Sequence, residues 1–160
     1  MIEVSLDQGR LQDALRRIEW AVGDTRPLMR GIATELLSIT EDNLEDQGQS
    51  GNDWPTLSEV TTAIREASGT WPGKMLQVSA GGLAASITTL ADDSSALVGS
   101  NKPYAAMMHF GGDKDEWPHL WGDIPARPYL PMDADGKLQP EAEDVVLDLA
   151  LEHIAKAARL

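Results

Sequence analysis

Apolar residues in the N-terminal part of the chain recur at three- and four-residue intervals, the period of an α-helix that buries one face. Leu11, Ala14, Leu15, Ile18 and Val22 form one such stripe, with Arg10, Arg16, Arg17 and Glu19 largely off it. Ahead of them, Ser5-Leu6-Asp7-Gln8 reads as a capping box, in which a Ser hydroxyl and a Gln three residues later satisfy free amides at a helix start. This first helix is predicted to end near Gly23. Asp24-Thr25 supplies a second cap, and Pro27 suits a first turn, where its missing N–H costs little. The next helix carries Leu28, Met29, Ile32, Ala33, Leu36, Leu37 and Thr40, is predicted to be the longest element, and fades into the acidic segment from Glu41 to Gln49.

The pattern then breaks. Gly48 to Asn52 has loop composition, and Trp54-Pro55-Thr56-Leu57-Ser58 marks a fixed turn whose Ser58 caps a short helix from Glu59 to about Ala67. Thr and Ile dominate the centre of Leu83 to Ala91. With the run Ala96 to Gly99 beyond Asp92-Asp93-Ser94-Ser95, this predicts a β-hairpin. A short helix follows from Tyr104 to Phe110, ended by Gly111, because glycine tolerates backbone angles found after helix ends. The charged loop from Gly112 to Asp123 holds Trp117, His119 and Trp121 and should be exposed. Three prolines hold Ile124 to Pro131 extended, as an edge strand or strap. Pro140 opens the last helix. Glu141, Glu143 and Asp144 lie near its positive end, Lys156 and Arg159 near its negative end, and Val146, Leu147, Leu149, Ala150, Leu151 and Ile154 form a broad apolar face.

The order of elements predicts an α+β fold: N-terminal helices and a C-terminal helix packed on a small antiparallel β-sheet, with a long exposed loop. One domain spans 1–160, with N-terminal helices in 1–50, an α+β core in 51–135 containing the loop 112–123, and the C-terminal helix in 136–160. A length of 160 residues fits this, since domains run to about 100–200 residues.

Charge and composition narrow the function. A net charge of −13 disfavours general nucleic-acid binding and anionic membranes, both of which draw on Lys and Arg. No apolar run is long enough to span a bilayer, and the first ten residues are polar, so a soluble protein made in the cytoplasm is expected. Without Cys there is no disulfide and no thiol chemistry. Five of the eight aromatic residues are Trp, a type favoured in cores and as an anchor at protein interfaces. His109, His119 and His153 do not sit at a metal-ligand spacing, no serine lies in a nucleophile signature, and Gly81-Gly82 lacks a phosphate-loop frame. No catalytic, cofactor or metal residue is therefore assigned. The alternatives are a small metal-dependent hydrolase using His109 or His119, and a soluble monomeric adaptor.

Four blocks in a fixed order carry a resemblance. They are Trp54-Pro55-Thr56-Leu57-Ser58; Leu76 to Ile87; Val98 through Tyr104 to His109-Phe110-Gly111-Gly112; and Ile124-Pro125-Ala126-Arg127-Pro128-Tyr129-Leu130. Together they resemble the phage virion morphogenesis family of Mu-like tail completion proteins, departing from it at Ser79-Ala80-Gly81-Gly82-Leu83 and at Met108. The resemblance implies a non-enzymatic component of the virion tail or neck, assembled in the host cytoplasm. It implies a homohexameric ring around the DNA channel that meets tail, tail-terminator and neck or connector proteins, with DNA passing unbound. Trp54, Pro55, Leu57, Ser58, Tyr104, His109, Phe110, Gly111, Gly112, Trp117, Trp121, Arg127, Pro128 and Tyr129 are the motif and interface candidates. Arg127, on a stiff strap, suits an ion pair or a bidentate carboxylate contact, within the subunit or across an interface. Gly99, Gly111 and Gly112 are expected at turns closed to other residues.

Overall fold

A computed structural model describes residues 8–120, 122–133 and 135–158. The fold is α+β. It runs α1 (Gln8–Gly23), α2 (Arg26–Asp46), β1 (Gly48–Gln49), β2 (Asn52–Asp53), α3 (Glu59–Ala67), β3 (Ile87–Ala91), β4 (Ala96–Ser100), α4 (Ala105–Phe110) and α5 (Pro140–Ala158). The strands form two separate two-stranded antiparallel sheets, β1-β2 and β3-β4, where the sequence predicted one. The first occupies the expected loop Gly48 to Asn52 and runs one residue past it, to Asp53. In the second, Ile87 pairs with Ser100 and Ala91 with Ala96. Its first strand begins later than predicted because Ala84–Ser86 closes a 3-10 turn instead.

α2 is the spine and, among the described residues, the longest helix, at 21 residues. It does not fade at Glu41, because Asn43 and Leu44 continue the buried face of Ile32, Ala33, Leu36 and Thr40. Thr25 occupies the position before the helix, but its hydroxyl makes no cap bond. It donates to the Asp93 carbonyl and so ties the helix start to the β3-β4 turn. In that turn the Asp92 carboxylate accepts from the amides and hydroxyls of Ser94 and Ser95. Those bonds, the Ser94 amide first, hold its pKa down to about 2. Ser58 caps α3 as expected, accepting from the Thr61 amide at 3.2 Å.

Two apolar clusters form the core. Ile32, Leu36 and Ala142 join α2 to α5, with Val98 and Leu149 against them; Leu44, Trp54, Leu83, Ala105 and Tyr129 form the second beneath the 124–131 strap. α1 packs on α5, yet the apolar stripes predicted for these helices are only partly covered. Leu15 and Val22 of α1 and Leu147, Leu151 and Ile154 of α5 stay exposed. Periodicity identifies which residues share a face but not whether another element covers it. Residues 5–7 of the Ser5 to Gln8 cap and Arg159 lie outside the described residues, as do the side chains of Gln8, Arg10 and Leu11.

Candidate functional site

The blocks that are scattered in sequence meet around the strap. Trp54 is buried, and its indole N–H donates to the Pro128 carbonyl at 3.0 Å. The Arg127 side chain reaches back in the opposite sense, donating to the Pro55 carbonyl at 3.1 Å through Nε and at 2.9 Å through Nη2, and to the Thr56 carbonyl at 3.2 Å. The expected carboxylate contact is absent among the described residues. Arg127 clamps backbone instead, because the prolines of the turn and strap leave carbonyls with no strand partner, and a guanidinium fork can serve two at once. Burial alone pulls its pKa below the usual guanidinium value.

The strap is not an edge strand. It is fixed at both ends by isolated bridges, Gly112 to Ile124 and Met132 to Leu138, and buried between them at Arg127, Tyr129 and Pro131. The Tyr129 hydroxyl donates to the Ala105 carbonyl at 3.2 Å, and burial pushes its pKa up to about 12. His109 is fully buried at the C-terminal end of α4, edge-on to both Phe110 and Tyr129. Its Nδ1 accepts from the amides of Tyr129 at 3.2 Å and Leu130 at 3.4 Å, so Nε2 carries the proton of the neutral ring. Nε2 makes no hydrogen bond of normal geometry.

Burial lowers the His109 pKa from 6.5, and the nearby carbonyl and charge of Asp133 oppose this without reversing it. Between the depressed and ordinary values the unfolded chain binds more protons than the folded one. The stability that the neutral ring contributes is therefore fully present above pH 6.5 and is lost as the pH falls toward the depressed value. Replacing His109 by Asn, whose Oδ1 can keep the two amide bonds without titrating, should flatten this part of the profile. Melting temperatures of both proteins at about pH 7.5 and about pH 5 check it, with the native protein expected to lose more on acidification. The ring's basic nitrogen, the one a metal or a proton transfer would use, is thus occupied by the two strap amides.

Gly111 ends α4 at φ +78°, and a Cβ there would lie 2.7 Å from the Ile124 carbonyl oxygen and 2.8 Å from the Ala126 nitrogen. The turn is closed to other residues for both reasons. Gly112 has no positive φ, and the nearest atoms a Cβ there would meet belong to the side chains of Met107 and Leu120, so its requirement for glycine is weaker than that of Gly111. Gly99 corrects the expectation: it lies in β4, where an added Cβ would meet nothing within 4 Å, and it has no positive φ.

Among the remaining candidates, Pro55, Ser58, Tyr104, Phe110 and Trp117 are exposed and Leu57 and Pro128 are half-buried. Trp121 lies outside the described residues. The loop 112–123 folds on itself: the Trp117 amide donates to the Asp113 carbonyl, and the Lys114 amide to the Asp123 carboxylate. Trp117 stands edge-on to the exposed His119 at a ring separation of 6.0 Å. Beside the strap lies a pocket of about 610 Å³, walled by Met75, Leu76, Val78, Leu83, Met108 and Ile124, with Arg65 and Arg127 among its lining residues.

Sequence reasoning missed Arg65, Asn43, Gln49 and Gln139. Arg65 is buried, donates to the carbonyls of Thr70 at 3.0 Å and Lys74 at 3.1 Å, and lies over the Trp71 ring. Asn43 donates to Gln139 at 3.0 Å and to the Tyr129 carbonyl at 3.3 Å, while Gln49 donates to the carbonyls of Leu130 at 2.9 Å and Met132 at 2.8 Å. These amides satisfy strap carbonyls that no sheet reaches. The one available signal was Asn43, which falls on the apolar face of α2 at helical spacing from Leu36 and Thr40.

The chain matches the phage virion morphogenesis family over residues 6–155. It is 36% identical over 160 residues to protein G of Escherichia phage Mu, provisionally named for capsid assembly, covering 99% of this chain and 97% of that one. It is 35% identical to the Mu-like prophage FluMu G protein 2 of Haemophilus influenzae, over 81% of this chain and 83% of that one. To FluMu G protein 1 of the same organism it is 30% identical, over 84% and 86%. No solved structure gives a significant match. A match of this extent, spanning nearly the whole chain, settles descent: the chain belongs to the phage virion morphogenesis family.

Proposed function

We propose that this protein completes the phage tail or neck so that head and tail can join, acting as one subunit of a homo-oligomeric ring around the DNA channel and catalysing nothing. Family membership gives it a role in virion structure or assembly. The finer reading rests on one observation. The buried motif residues Trp54, Arg127, His109 and Tyr129 spend their polar groups on backbone within the chain, and the frame they build carries the exposed loop 112–123. A rigid scaffold that presents an aromatic, charged loop is suited to binding other proteins.

Ring closure needs one surface of a subunit to meet a different surface of its neighbour. The loop and the exposed rim of the strap are the surfaces we assign to it, with tail, tail-terminator and neck proteins above and below. The charge of −13 fits a wall from which passing DNA is repelled. No described helix is long and apolar enough to cross a membrane. Particles produced without this protein test the assignment. Adding the purified chain should restore joined, infectious virions from separate heads and tails, whereas heads that fail to form without it would place its action in the capsid.

A further inference from the structure

We propose that the pocket beside the strap is a socket for the Trp117 loop of a second copy of this chain. The inference rests on the ring reading above and names its contact.

The socket offers an apolar volume lined by two arginines that the fold holds without a carboxylate partner among the described residues. Its walls are apolar, and at about 610 Å³ it is large enough for an indole with its flanking backbone. Arg65 and Arg127 both line it, and each is only 7% exposed. Among the described residues neither has a carboxylate partner: both guanidinium groups bond only to backbone carbonyls, and the Arg65 Nε has no hydrogen-bond partner. Asp123 is the single acidic residue in the lining, and its carboxylate already accepts from the Lys114 amide. The charged side chains of the lining are thus two arginines and one carboxylate, a net positive set within an acidic protein.

The same chain carries the complementary knob. Trp117 is 49% exposed and follows Asp115 and Glu116, neither of which has a cationic partner among the described residues. The loop's own hydrogen bonds hold it in shape, so little ordering is needed on docking. An indole entering the apolar walls, with carboxylates drawn toward Arg65 and Arg127, makes a contact between unlike surfaces, the type a ring requires.

The chain has no Cys, so single cysteines report the contact without background. Copies with Glu116→Cys are mixed with copies carrying Val78→Cys, at the exposed rim of the socket, and oxidised by dissolved oxygen at a concentration where light scattering shows the oligomer. The mixed disulfide should form at least tenfold faster than either self-pair. Adding Trp117→Ala to the first chain should suppress it, and Val78→Asp, which places a carboxylate at the socket mouth, should lower the solution mass of the otherwise native protein. Both changes are at exposed positions, so retained folding is checked by an unchanged melting temperature. An oligomer that persists with Trp117→Ala, together with no mixed disulfide from the chains that retain Trp117, overturns this contact while leaving the ring intact. Protection of the Val78→Cys thiol only on adding another virion protein also overturns it, since the socket then has a different occupant. A chain that stays monomeric up to millimolar concentration, with no mixed disulfide, overturns both the contact and self-assembly in solution.

Discussion

Replacing Trp54 by Ala is expected to destabilise the protein by about 3–5 kcal/mol, the range for removing a large aromatic side chain from a packed core. That is a large part of the ~5–15 kcal/mol that keeps a domain folded. The indole is buried among Leu44, Leu83, Ala105 and Tyr129, and its N–H holds the Pro128 carbonyl. Ala leaves a cavity under the strap and strands a carbonyl that no strand can pair. Trp54→Phe separates the two terms: it keeps most of the ring but not the donor, and should cost about 1–2 kcal/mol. Urea unfolding with an unchanged slope measures both. A cost below about 1 kcal/mol for Trp54→Ala would mean that the strap is held elsewhere.

Gly111→Ala should be nearly as damaging, through the backbone rather than the core. At φ +78° an added Cβ carries a strain of about 1–3 kcal/mol, and it also meets the Ile124 oxygen and the Ala126 nitrogen, both main-chain atoms that cannot rotate away. The strap must then move from α4, weakening the Arg127 amide bond to the Met108 carbonyl and the paired bonds between Gly112 and Ile124 that close the 112–123 loop. Gly99→Ala is the control. With open space around its Cβ position and ordinary backbone angles, it should change stability by no more than ~0.5 kcal/mol. Chemical denaturation of the pair checks the contrast, and equal losses would show that the turn at Gly111 has no special requirement.

Local chemistry was legible where one residue decides a local geometry. Three prolines announced an extended strap, Ser58 announced a cap, and Gly111 announced the end of α4. What escaped was anything that depends on which distant segment arrives. Thr25 reads as a cap, yet its hydroxyl is claimed by a hairpin 68 residues away. Arg127 reads as half of an ion pair, yet the nearest acceptors turn out to be two carbonyls that a proline-rich turn leaves bare. The amides of Asn43 and Gln49 look like ordinary polar groups until the strap, whose carbonyls they satisfy, is laid across them, with the Gln139 side chain accepting from both. The stripes on α1 and α5 show the same limit from the other side, since an apolar period gave a face but not its cover, and Leu147 and Leu151 remain exposed.

At the candidate site, the motif order carried the family resemblance, but it could not show that four of the motif side chains face inward. Trp54, His109, Arg127 and Tyr129 hold the frame, and under the proposed ring the exposed Tyr104, Phe110 and Trp117 are the motif side chains assigned to contact with other subunits. Substitutions in the first group should therefore act through stability, and those in the second should leave the fold intact while affecting assembly.

The most direct test of the ring is the solution mass of the purified chain by light scattering, measured across a wide range of concentrations. A closed oligomer is expected, sixfold if it follows the symmetry common among tail tubes, and thus a mass several times the 17.3 kDa of one chain. A species of 17.3 kDa at every concentration, which also fails to join tails lacking the protein to filled heads, would contradict it.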